Sequence, residues 1–141
     1  MIVVLDTNMV VSGILVPGGS PGKVVDLWAH GVFTVAVSPA LIKEYLGVLL
    51  QPKFQSVGSV EERTKILEAL LDLENTVTVL PKRPLNVVGE DPADNRVLEC
   101  AGASGAECVV SGDRHLLALG QFGPAAILSP AGFLKWFFDR R

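Results

Sequence analysis

Two cysteines and two histidines are all that 141 residues contain. A disulfide-stapled scaffold needs a denser set of thiols, and a zinc finger or ribbon needs Cys or His pairs at short fixed spacing; neither pattern occurs. Charged residues are only 19% of the chain while 49% are hydrophobic, which excludes a disordered polyelectrolyte. No apolar run approaches the roughly 18 residues of a membrane span. Met1 leads directly into the apolar Ile2–Leu5 with no basic stretch of the kind that opens a secretory signal, so the expectation is a cytoplasmic protein without membrane contact. Lys and Arg total 12 against 15 Asp and Glu, a net charge of -3, which argues against a large basic face for constitutive nucleic-acid binding. If four of those carboxylates sit on a bound cation, however, the remaining charge changes sign, and net charge alone decides nothing.

A chain of this length buries roughly 68–70% of its unfolded surface, enough for one core without staples or a structural metal. A single domain over residues 1–141 is expected. Continuous apolar, β-rich runs occur at Ile2–Leu5, Val32–Val37, Thr76–Leu80, Cys108–Ser111 and Ala125–Leu128. Continuous rather than alternating runs predict strands covered on both faces, as in a parallel sheet between helical layers. Four helix starts are announced by a cap residue followed by proline: Ser20-Pro21, Ser38-Pro39, Asp91-Pro92 and Ser129-Pro130. A further helix over Val60–Leu73 forms an αα-hairpin with the Ala40–Leu50 helix, across the polar link QPKFQSVGS. The order β-α-β-α-α-β-α-β-α-β-α predicts a three-layer α/β/α fold with a doubly wound, mainly parallel five-stranded sheet.

In open parallel sheets ligands bind beyond the carboxyl ends of the strands. Asp6 in LDTN and Asp113 in VVSGD follow two of the apolar runs, although either could equally be a turn former. Asp94 is spaced three, four and seven residues from Val97, Leu98 and Ala101, on one helical stripe facing the core. A carboxylate there costs several kcal/mol, on the order of a lost pairing, unless it binds a cation or a partner; it also suits the first turn of a helix capped by Asp91. Glu99 points away from that stripe and is expected in solvent. Glu44, in SPALIKEYLGVLL, lies at the border of an apolar arc through Leu41, Tyr45, Val48 and Leu49. The topology can direct Asp6, Glu44, Asp94 and Asp113 to one crevice. Four carboxylates in one cleft need a counter-charge, and an oxygen-only set favours Mg²⁺ or Mn²⁺ over zinc.

These segments, LDTN at Leu5–Asn8, the acid in SPALIKEYLGVL, DPADNRVLECA from Asp91 to Ala101 and VVSGDRHLL from Val109 to Leu117, occur in an order and spacing that spans essentially the full chain. On them the sequence resembles a PIN-domain nuclease of the kind that forms the toxin of prokaryotic toxin–antitoxin pairs. The resemblance implies that Asp6, Glu44, Asp94 and Asp113 bind the metal, with Asp91 as an alternative to Asp94, and that Asn8 and Ser111 orient these ligands. It also implies a metal-dependent endoribonuclease cutting single-stranded or loop RNA to leave a 5′-phosphate and a 3′-hydroxyl. Family toxins are often dimers or higher oligomers with an antitoxin protein over the cleft, so those partners are expected here.

Lys43, Arg96 and Arg114 each lie within two residues of a proposed ligand and are candidate contacts to RNA phosphates, with surface ion pairing as the alternative. His115 could assist proton transfer or simply sit on a helix surface. A phosphoryl-accepting receiver domain is disfavoured because the first strand carries one acid, the third ends in Val79-Leu80-Pro81-Lys82 and the fifth leads into Ser129-Pro130. A haloacid-dehalogenase-like phosphatase is disfavoured because position 8 is Asn. A non-catalytic scaffold of the same fold should lack one of the four acids, and none is missing.

Overall fold

The computed structural model describes residues 1–85 and 92–140. Strand β1 (Ile2–Leu5) runs into helix α1 (Thr7–Leu15), then α2 (Ser20–Ala29), β2 (Thr34–Val37), α3 (Pro39–Leu49), a 3-10 turn (Pro52–Val57), α4 (Val60–Leu71) and β3 (Thr76–Thr78). Helix α5 (Pro92–Ser104), β4 (Cys108–Val110), α6 (Arg114–Leu119), β5 (Gln121–Phe122), β6 (Ala125–Leu128) and α7 (Pro130–Asp139) follow. The six strands lie in the order β3-β2-β1-β4-β6-β5, parallel except for β5 against β6. This is the expected three-layer α/β/α arrangement with a mainly parallel sheet. Val3, Val4, Leu5, Val109 and Val110 are fully buried, because the central strands are covered by helices on both faces.

The order reverses between β1 and β4. From β1 the chain steps outward through β2 to β3, and from β4 it steps the other way to β6. Pairing of Leu5 with Val110, and the bond from the Asp6 amide to the Val110 carbonyl at 3.0 Å, set the carboxyl ends of these neighbours side by side. A crevice opens there, since the chain leaves the two strands in opposite directions.

Several elements differ from expectation, each for a tertiary reason. Two helices, not one, connect β1 to β2. Helix α1 carries no proline signal and reads as β-rich MVVSGIL, yet Met9, Val10 and Val11 bury against the core. Gly13 lets α1 approach α2 so closely that a Cβ there would lie 2.4 Å from Val25 Cγ2. Ser20 is the first residue of α2 rather than its cap, which is Gly19. Ser38 and Ser129 do cap, accepting from the amides of Leu41 and Gly132, and Asp91 lies outside the described residues. The sheet has a sixth strand, β5, too short for periodicity to reveal and turned back onto β6 at Gly123, whose φ is +57°. Strand β3 ends at Thr78, and Val77 and Thr78 are exposed on the sheet edge, so this strand is not covered on both faces. The link at residues 51–59 holds a 3-10 turn rather than an open loop.

The α3–α4 hairpin is fastened by Arg63, a guanidinium only 2% exposed. It donates to the carbonyls of Leu49 at 2.6 Å, Gly58 at 2.9 Å and Gln51 at 3.2 Å. A positive charge against the carbonyls that close α3 also suits the helix dipole. The turn into β3 is held by Trp28, which donates to Thr76 Oγ1 at 2.8 Å, and by Asn75, which donates to the Trp28 and Phe33 carbonyls at 2.9 Å each. The C-terminal aromatics pack as a helix: Phe133 is buried between Phe33, Trp136 and Phe137, while Phe138 is exposed. Among the described residues no helix is long and apolar enough to cross a membrane.

Replacing Arg63 by Met keeps the apolar stem and removes the donors. The expected loss is about 2–3 kcal/mol, as for charged hydrogen bonds to buried acceptors, read as a lower denaturant midpoint with an unchanged slope.

Candidate active site

Asp6 follows β1 and occupies the N-cap position of α1, and it is only 5% exposed. Ser111, fully buried just beyond β4, donates its hydroxyl proton to Asp6 Oδ2. The same hydroxyl oxygen accepts the Asp113 amide at 2.9 Å, so the amide fixes the hydroxyl and its proton has one direction to go. Asp113 caps α6 through Oδ1, which accepts the amides of His115 at 2.8 Å and Leu116 at 3.2 Å. Asp94, in the first turn of α5, is 4% exposed. Carboxylate oxygens of Asp94 and Asp113 and a ring nitrogen of His115 lie within 4.8 Å of one another. Among the described residues this is the group with metal-ligand proximity; Asp6 stands beside it, joined through Ser111.

Glu44 reaches the same end of the sheet by another route. Thr7 Oγ1 donates to Glu44 Oε2 at 3.1 Å, and the adjacent, fully buried Tyr45 donates its phenol proton to the Leu5 carbonyl. These two bonds dock α3 against the carboxyl end of β1. Neither Thr7 nor Tyr45 stands out in the sequence; the signal for Thr7 is its place directly after Asp6, and Tyr45 reads only as part of an apolar arc.

The remaining candidates divide. Asn8 is exposed, and its tie to Asp6 is through its backbone amide. Asn8, Ser12, Asp113 and Arg114 line one depression of about 430 Å³. Lys43, Glu44, Pro92 and Arg96 line another of about 450 Å³. Lys43 and Arg114 are exposed, whereas Arg96 is committed to Glu99 at 2.5 Å. Glu99 is therefore not a solvent residue: its carboxylate, 9% exposed, also accepts the Leu85 amide at 2.7 Å and so ties Leu85 to α5. A larger depression of about 510 Å³ between α2 and α7, lined by Lys23, Leu27 and Phe138 among others, contains none of the four acids. Asp91, the alternative to Asp94, lies outside the described residues.

Burial pushes the Asp6 carboxyl above its ordinary range; the Ser111 hydroxyl and the Asn8 and Thr7 amides pull the other way, and the neighbouring Asp113 charge adds to the rise. For Asp113 partial burial also raises the carboxyl, but the Leu116 and His115 amides, with Asp94 and His115 nearby, outweigh it and leave it below its ordinary range. Desolvated, mutually repelling carboxylates are the donor set that a hard divalent cation compensates. The thiols take no part, since burial raises both Cys100 and Cys108 to about 12.

A PIN-domain family model matches residues 2–115. The chain is 33% identical over 118 residues to the uncharacterized protein MJ1680 of Methanocaldococcus jannaschii, a match covering 83% of this chain and 74% of that protein. The matched span contains Asp6, Glu44, Asp94, Asp113 and His115.

The pH dependence of Asp6 has a definite sign. Its folded carboxyl titrates above its unfolded one, so the stability it contributes is present below the unfolded range and is lost as pH rises through the folded value. Asp113 has the opposite sign, contributing stability that is lost as pH falls through its lowered value. Asn keeps the size of Asp and removes the buried charge, so in EDTA at pH 7 Asp6→Asn is expected to melt above the wild type. A thermal melt showing a lower Tm than wild type at pH 7 contradicts this account of Asp6.

Proposed function

The chain belongs to the PIN-domain family, whose members are generally metal-dependent nucleases, and from that premise we propose that it is a metal-dependent endoribonuclease of single-stranded or loop RNA. The observation that carries this reading is the meeting of Asp94 and Asp113, from separate helices, within 4.8 Å of a common partner and beside a Ser111-bound Asp6. Capping and the helix dipole account for each acid singly, but not for bringing two carboxylates and an imidazole together, which a cation would compensate. Asp94 and Asp113 would hold Mg²⁺ or Mn²⁺, with Asp6 and Glu44 completing the acidic rim. When bound, a divalent cation supplies an acidified water and neutralises charge on the phosphoryl group.

The chain's own residues do the rest. Ser111 holds the Asp6 carboxylate in one orientation, and Thr7 does the same for Glu44. Lys43 on one side of the acids and Arg114 on the other are exposed cations that would take backbone phosphates of a strand crossing the crevice, the two depressions giving it room. Arg96, neutralised by Glu99, shapes that wall and offers phosphate little. The likeness to the PIN-domain family implies hydrolysis that leaves a 5′-phosphate and a 3′-hydroxyl. The toxin role in a toxin–antitoxin pair, with a cytoplasmic antitoxin protein covering the cleft of a homodimer or larger oligomer, follows from the likeness of the four motifs to that branch of the family.

Purified protein is expected to degrade single-stranded RNA with Mg²⁺ or Mn²⁺ and to stop in EDTA. Asp113→Asn or Asp94→Asn should lower the rate by more than about 100-fold, and Ser111→Ala, which frees Asp6 to turn and takes the acceptor from the Asp113 amide, by about 10–100-fold. Wild-type rates in both Asp variants would remove the acids from the mechanism. Lys43→Gln and Arg114→Gln should each reduce the salt slope of RNA binding by about 0.7, the share of one phosphate contact on a single strand. Growth arrest on expression, relieved by Asp113→Asn, tests the toxin role.

A further inference from the structure

The acids expected at the site are all oxygen donors, but the group that the fold gathers includes a nitrogen. His115 Nδ1 lies 3.7 Å from Asp113 Oδ1. Two adjacent donors on one octahedral cation at about 2.1 Å are about 3.0 Å apart; the observed pair would close by roughly 0.7 Å through a small rotation of the imidazole, and the whole group already lies within 4.8 Å. The placement is built in. The His115 amide is itself bonded to Asp113 Oδ1, so the carboxylate and the imidazole are carried by one rigid first turn of α6. The fully buried Leu116 in the next position anchors that turn in the core.

We infer that His115 is a nitrogen ligand to the cation held by Asp94 and Asp113, and that it biases the site toward Mn²⁺ over Mg²⁺. The inference rests on the metal-nuclease reading above. Mg²⁺ demands oxygen ligands and keeps its waters, whereas a first-row transition ion accepts imidazole beside carboxylate. The other histidine, His30, is exposed at the end of α2 with its ring against the Asp26 carbonyl, so it does not confuse a nitrogen signal from the site.

The experiment is pulsed electron paramagnetic resonance of the full chain loaded with MnCl₂, together with Mn²⁺ titration and its displacement by MgCl₂, in wild type and His115→Ala. A directly bound nitrogen-14 should modulate the wild-type echo and vanish in His115→Ala. Mn²⁺ affinity should fall about tenfold in the variant, while Mg²⁺ affinity changes less than twofold and the apo Tm is unchanged. Stoichiometric Mn²⁺ with no nitrogen coupling, or a Mn²⁺ to Mg²⁺ preference identical in the two proteins, overturns the inference and leaves the nuclease reading standing. Absence of binding of either ion to wild type overturns both.

Discussion

The parallel pairing of β1 with β4 is the constraint from which the candidate site follows. In that register Leu5 faces Val110, and the residues that come next, Asp6 and Ser111, leave the sheet together and bond to each other. Because side chains alternate across a strand, a slip of one residue in this pairing would send Asp6 to the opposite face. The buried valines that flank the pair prevent it. Val3, Val4, Val109 and Val110 are all fully enclosed.

Crowding carboxylates at such a place needs compensation even before a cation arrives. Three of the four acids are at helix starts: Asp6 occupies the N-cap position of α1, Asp113 caps α6, and Asp94 sits in the first turn of α5. Each therefore meets the positive end of a helix dipole, which favours the charged form. The balance differs between them. At Asp113 the donated amides win and the carboxyl is lowered, while at Asp6 burial wins and the carboxyl is raised. The fold thus keeps the acids together with backbone amides and the hydroxyls of Ser111 and Thr7, and the surplus of negative charge is what a bound cation would compensate.

Much of the scaffold was legible because its signals are local. Serine before proline at Ser38 and Ser129 marks true caps, since the side chain and the amides it serves are within one turn. Continuous apolar runs mark the covered strands for the same reason. Helix α1 was hidden because its residues favour strand locally and become helical only by packing Met9, Val10 and Val11 into the core. Glu99 misled in the other direction. A helical wheel sends it to solvent, but Leu85 comes over it and supplies an amide, while Arg96, one turn earlier on α5, supplies a guanidinium. At the site, Asp6, Asp94 and Asp113 follow strand ends or helix starts and so can be nominated by position, whereas Glu44, Thr7 and Tyr45 acquire meaning from what lies across the crevice.

The order of apolar runs and caps along the chain was by itself sufficient for a doubly wound α/β sheet and for acids at strand ends, because hydrophobic period and capping depend on neighbours a few residues away. Which acids meet, at what distance and in what protonation, was decided by tertiary structure. Asp6 and Ser111 are separated by 105 positions in sequence and are joined by a hydrogen bond that Ser111 donates. Dielectric, charge repulsion and ligand spacing depend on distance in space, and those distances exist only once the sheet has closed around its central pair.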